Sequence, residues 1–192
     1  MYLSGDNEET QPDVLHQLIM DQPLSTWVSV QAGDIVVNHI PFFLLPSKGA
    51  NGSLLGHVAR ANPVWQSLLA GVESVVIFQG PQAYISPSWY PSKKQHGKVV
   101  PTWNYITVHV RGVAKVVEDK VELLAHLNAM TFEHEKKQAS PWQLSESPDA
   151  YIDTMVGAIV GIEIPIDNLV GKWKLGQNRS ESKRHDSGLE SK

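Results

Sequence analysis

Short runs rich in β-branched and aromatic residues, each closed by glycine, proline, asparagine or aspartate, recur from Thr26 to Ile166 and set the main constraint on the fold. Such runs pair as strands, and those joined by short turns pair antiparallel. Thr26 to Val30 and Ile35 to Ile40 flank Gln-Ala-Gly-Asp, which predicts a hairpin with a four-residue connection. Pro41 to Leu45 and Leu54 to Val58 predict a second hairpin, because Ser-Lys-Gly-Ala-Asn-Gly between them tolerates positive φ. Ser74 to Gln79 reads as a compact apolar strand and Ala83 to Ser86 as a short one. Tyr105 to Glu118 reads as one long strand with Ile106, Val108 and Val110 on one face. Ile162 to Ile166 adds a closing strand.

Helical periodicity marks the flanks. Val14, Leu15, Leu18 and Ile19 recur at helical spacing after Asp13, a candidate N-cap, and Pro23 limits the other end. Asn62 followed by Pro63 starts a short helix through Leu69 that ends near Gly71. Lys120 to Lys136 turns helical, with Val121, Leu124, Leu127 and Phe132 along one side, and another helix runs from Pro148 to about Val156. The class is α+β, mainly β.

With 192 residues, a 42% hydrophobic share and no internal linker, the chain is expected to form one domain over residues 1–178. Residues 179–192 are polar and read as a mobile tail. No apolar run approaches the roughly 20 residues that span a bilayer, and the acidic N-terminus lacks the features of a signal peptide, so a cytoplasmic protein is expected. The absence of cysteine removes disulfides, thiol catalysis and thiolate metal sites. A net charge of −4 argues against a broad basic footprint for nucleic acid.

Chemistry concentrates between Gly80 and Gly112. Tyr84, Trp89, Tyr90, Trp103 and Tyr105 offer ring faces, while Lys93, Lys94, Lys98 and Arg111 offer positive charge. An aromatic phosphate ester suits that combination, and a barrel core filled by the rings is the competing reading. His57, Arg60 and Asn62 form a candidate anion site at a helix N-terminus, where free backbone N–H groups and a forked guanidinium favour phosphate. The competing reading has Asn62 as a cap and Arg60 facing solvent. The histidines make neither an H-x-H nor an H-E-x-x-H arrangement, so no metal is expected. No G-x-S-x-G elbow, P-loop or dinucleotide fingerprint appears, and no catalytic residue is assigned.

Five ordered segments, NHIPF (Asn38 to Phe42), GHVARANP (Gly56 to Pro63), FQGPQAYISPSWYPSK (Phe78 to Lys93), GKVVPTWNYITVHVRG (Gly97 to Gly112) and GKWKLGQNR (Gly171 to Arg179), resemble the PaiB family of FMN-binding negative transcriptional regulators. The resemblance implies a six-stranded antiparallel FMN-binding split barrel with flanking helices, assembled as a homodimer with flavin near the subunit interface. It assigns His57, Arg60 and Asn62 to FMN, with Lys98, Thr102, Trp103, Asn104 and Tyr105 beside the pteridine edge. It also implies that Lys172, Lys174, Gln177, Asn178 and Arg179 fold back over the ligand or across the interface. Gly176 stands where the family pattern has Ser, and Lys183 where it more often has Asp, which places the terminal contacts in question.

The resemblance implies a regulator acting on DNA or the transcription machinery, although no convincing helix-turn-helix is present: the two C-terminal helices lie too far apart. The alternative is a flavin-dependent oxidoreductase with FMN as hydride acceptor, because a bound flavin takes up hydride without a protein nucleophile. A third reading is a dimeric interaction module that has lost FMN.

Overall fold

The computed structural model describes residues 1–68, 71–90, 93–94 and 97–177. In chain order the elements are β1 (Glu8–Glu9), α1 (Pro12–Asp21), β2 (Leu24–Gln31), β3 (Asp34–Pro41), β4 (Phe43–Leu45), β5 (Ser53–Ala59), α2 (Val64–Ser67) and β6 (Glu73–Ile85). They continue with β7 (Thr102–Val113), β8 (Lys115–Val117), α3 (Lys120–Glu135), α4 (Asp149–Gly157), β9 (Ile159–Pro165) and β10 (Asn168–Lys174). All the strand pairings are antiparallel and form two sheets, one of six strands in the order β1-β10-β7-β6-β2-β3 and one of four in the order β4-β5-β9-β8.

The mainly β class with flanking helices stands, and the strands divide differently from the expected set. The first hairpin turns on Ala32 and Gly33 alone, because Gln31 already pairs with Asp34, and both turn residues have positive φ. The two strands read at Ser74 to Gln79 and Ala83 to Ser86 are one strand, β6. A bulge between Gln79 and Gln82 interrupts its register while pairing with β7 continues on both sides. The long strand read from Tyr105 to Glu118 is two: β7 ends at Val113, and β8 pairs with β9 in the other sheet. Strand β10, which starts at Asn168 and runs into the GKWKLGQNR block, pairs with β7 along its whole length.

The inward faces of the sheets meet in one core. Trp27, Val76, Phe78, Val108 and Val110 come from the larger sheet, and Leu54, Val160, Ile162 and Ile164 from the smaller. Helix α1 adds Leu15, Leu18 and Ile19 to the same cluster. Helix α3 departs from the expected stripe: Val121 is 74% and Phe132 67% exposed, and the helix buries only Leu123 and His126. Leu123 sits against Gly161 of β9, where a Cβ would collide with it, so α3 lies against the outward face of the smaller sheet.

A flavin-suited face on the larger sheet

Strand alternation puts Trp103, Tyr105, Thr107, His109 and Arg111 of β7 on the outward face of the six-stranded sheet and Asn104, Val108 and Val110 on the inward face. The register carries Gln82 and Tyr84 of β6, and Lys172 and Lys174 of β10, onto that outward face: Tyr84 lies opposite Trp103, Lys174 opposite Tyr105 and Lys172 opposite Thr107. The rings of Tyr84 and Trp103 meet edge-on at 5.9 Å, and Trp103 is 54% exposed. These two rings are therefore exposed rather than part of the core, whereas Tyr90 is buried.

Lys174 organises this cluster. Its ammonium donates to Thr102 Oγ1 at 2.6 Å and to the Trp103 carbonyl at 2.6 Å, and lies 5.9 Å from the centre of the Tyr105 ring. Lys172 approaches the same ring at 5.5 Å and donates to the Tyr2 carbonyl. Among the described residues neither lysine forms an ion pair with a carboxylate, although Glu8 of β1 stands opposite Lys172 across the strand pair. His109, further along the face, is pushed below its ordinary pKa by burial first, then by the N-terminal amine and Arg111.

The backbone after β10 closes over this end of β7. Asn104, buried on the inward face, donates to the Leu175 carbonyl at 3.4 Å. Gln177 folds back, accepting from Leu175 N–H at 2.8 Å and donating to the Trp173 carbonyl. Gly176 makes the turn at φ 82°, where the family's Ser would be strained, so the substitution suits this local geometry. Lys98 is exposed in the segment leading into β7. Asn178 and Arg179 lie outside the described residues, as does the expected tail.

His57, Arg60 and Asn62 belong to the other sheet and the turn beyond it, and among the described residues no hydrogen bond, ion pair or ring contact joins them to the Lys174 cluster. Arg60 is already engaged: Nε donates to the Gly157 carbonyl at 2.9 Å, one terminal nitrogen to Glu118 at 2.8 Å and the other to the Ile159 carbonyl at 3.1 Å. Asn62 accepts from Val64 N–H at 3.0 Å across the turn that leads into α2, whose N-cap is Pro63 rather than the expected Asn62, and donates to Asn38 at 2.8 Å. His57 faces His126, Nδ1 to Nε2 at 3.3 Å. His126 was absent from the sequence reading, since a lone histidine on a helix carries no signal until the helix is placed.

The family described as "Putative FMN-binding domain" matches residues 1–168. The chain belongs to this FMN-binding family. Among its relatives is Protease synthase and sporulation protein PAI 2 of Bacillus subtilis, 31% identical over 182 residues that cover 95% of this chain and 84% of that protein. An uncharacterized protein of Emericella nidulans is 32% identical over 222 residues, covering 96% of this chain and 87% of the other. Among solved structures, the FAD and heme binding protein from Mycobacterium smegmatis superposes with a TM-score of 0.67 at 17% identity, covering 95% of this chain and 80% of that one. The flavocytochrome Anf3 from Azotobacter vinelandii gives 0.62 at 12% identity, covering 88% and 70%. These likenesses confirm the fold, and the PaiB resemblance is borne out.

FMN is thus the cofactor of an FMN-binding domain protein, and the donor set on the larger sheet fits it: exposed rings for the flat isoalloxazine and lysine ammonium groups for the phosphate. Among the described residues no group of three or more histidines and carboxylates is placed to hold a metal. Nor does any described helix have the length and apolarity to cross a membrane.

Proposed function

We propose that the protein is a homodimeric FMN-binding regulator whose flavin lies against Tyr84, Trp103, Tyr105, Lys172 and Lys174, beside the second subunit. The observation that carries this reading is the Lys174 ammonium, held between Thr102, Trp103 and the Tyr105 ring with no carboxylate in ion-pair contact among the described residues. Such a charge is a ready partner for a phosphate or an electron-rich flavin edge. Asn104 and Gln177 hold the β10 end in place, and Lys98 and Thr102 border the same strand entry.

Dimerisation is supported by the rest of the same face. Leu24, Val28, Val30, Ile35 and Val37 of β2 and β3 point outward, with Ile35 73% and Val37 52% exposed. An aliphatic patch of this kind calls for a cover, and a second copy related by a two-fold axis supplies one. Because the patch and the ring-lysine cluster share one face, flavin bound at the cluster borders the dimer seam.

The regulatory output is exerted through the flavin or a partner rather than through a broad DNA contact. The net charge is −4, and α3 and α4 are separated by the segment 136–148 rather than by a tight turn. A second reading, a flavin-dependent oxidoreductase, draws support from the cluster's composition: rings and cations position a cofactor, and bound FMN itself supplies the hydride-accepting group.

Flavin fluorescence titration tests the placement. Lys174→Met is expected to weaken FMN binding tenfold or more, as loss of a charged hydrogen bond of about 1.5–3 kcal/mol implies. Arg60→Ala is expected to change it less than threefold. Equal affinity in wild type and Lys174→Met sinks the placement. NAD(P)H oxidation by the loaded protein then favours the oxidoreductase reading, and a flavin-dependent shift of a promoter fragment or a regulatory partner favours the regulator.

A further inference from the structure

Residues 1–3 lie against the same face as the ring-lysine cluster. A turn over Ser4 to Asn7 precedes β1, closed by Asn7 N–H donating to the Ser4 carbonyl at 2.9 Å and by the Asn7 side-chain amide donating to Ser4 Oγ at 2.6 Å. Beyond that turn the Lys172 ammonium donates to the Tyr2 carbonyl at 2.9 Å. The same ammonium sits between two rings, 5.7 Å from the centre of Tyr2 and 5.5 Å from that of Tyr105. The Met1 amine is close enough to His109 to add to the lowering of its pKa, behind the larger effect of burial, so the segment reaches toward β7 as well as β10.

Lys172 is what holds this segment down. Among the described residues its hydrogen bond is the one that ties residues 1–3 to the sheet, and Met1 is 42% and Tyr2 82% exposed. One net hydrogen bond and a cation–ring contact leave such a segment at the low end of local stability. Glu8 stands opposite Lys172 across the strand pair without forming an ion pair with it, so the oxygen that meets the ammonium is the neutral Tyr2 carbonyl. A phosphate is a stronger acceptor from an ammonium than a peptide carbonyl is.

We infer that residues 1–3 form an autoinhibitory strap: Tyr2 and the phosphate of FMN compete for the Lys172 ammonium, so that flavin binding displaces the segment. The inference rests on the flavin placement proposed above and adds regulation to that site. Flavin occupancy is thereby converted into the position of a segment continuous with the edge strand β1.

A variant lacking Tyr2 and Leu3 should bind FMN about three- to tenfold tighter in fluorescence titration, as loss of one competing net hydrogen bond implies. The gain should vanish in a Lys172→Met background, where the strap has no ammonium to withhold. The chain has no cysteine, so a nitroxide on Leu3→Cys reports the strap alone. Its electron paramagnetic resonance spectrum should shift to faster motion with FMN and stay unchanged with riboflavin, which has the same rings without the phosphate. FMN affinity unaltered or weakened by the deletion, the same gain in Lys172→Met, nitroxide motion indifferent to FMN, or motion raised equally by riboflavin would each overturn the strap. Lys174→Met separates this failure from failure of the placement. Weaker FMN binding by Lys174→Met beside an inert deletion removes the strap and leaves the placement, whereas FMN affinity indifferent to both Lys172→Met and Lys174→Met removes both.

Discussion

Lys174 and Arg60 show how two cationic side chains can look equivalent in sequence and differ in the fold. Both are cations within family-like motifs, yet Arg60 spends its fork on Glu118 and two carbonyls while Lys174 meets no carboxylate among the described residues. The FMN titration of Lys174→Met and Arg60→Ala is therefore a prediction at this scale, with opposite expectations for the two variants. His126 supplies another. Burial first, then the neighbouring His57, push its pKa down to about 4 from an ordinary value near 6.5. Between those values the unfolded chain takes up a proton that the folded chain refuses, so stability is full above about pH 6.5 and falls as the pH drops toward 4. The loss should reach about 3 kcal/mol. Urea midpoints at pH 7, 6, 5 and 4.5 should converge on those of His126→Gln at low pH; parallel curves would remove the linkage.

At the scale of elements, β7 does most to organise the molecule. It pairs with β6 and β10, carries the rings outward and Val108 and Val110 inward, and ends where the chain crosses to the second sheet. Gly112 makes that crossing possible, because a Cβ there would come 2.1 Å from the Pro165 carbonyl oxygen at the end of β9. Gly112→Ala should cost about 2–4 kcal/mol by forcing backbone apart, measurable as a lowered denaturant midpoint with little change in slope. An unaltered midpoint would mean that the sheets can separate freely at this point. Much of this was legible: alternation located β7 and its faces. The break at Ala114 was not, because Val113 to Val117 remains β-favouring and only the second sheet explains why the strand stops. Strand β10 was hidden for a related reason, since Lys172 and Lys174 disguise an edge-to-face alternation in which Gly171 and Trp173 turn inward.

For the whole molecule the decisive feature is the division of one outward face into an aliphatic half and an aromatic-cationic half. If a second copy covers the aliphatic half, Val37→Glu should convert a dimer to a monomer in sedimentation equilibrium, since an unpaired carboxylate buried at the seam costs several kcal/mol. FMN affinity should fall with it, because the proposed flavin position borders that seam. A Val37→Glu protein that remains dimeric would move the interface elsewhere.

The sequence alone determined the mainly β class, the first hairpins, the opening helix and family membership. These rest on local periodicity, turn chemistry and ordered motifs, all of which are properties of neighbouring residues. Only tertiary structure decided that Lys174 meets Thr102 and Tyr105, that Arg60 is consumed by Glu118, and that His57 faces His126. Those partners are separated by tens of residues along the chain. Their meeting depends on strand register and on where a helix settles, so the free energy that selects them comes from the packing of whole sheets rather than from any local preference.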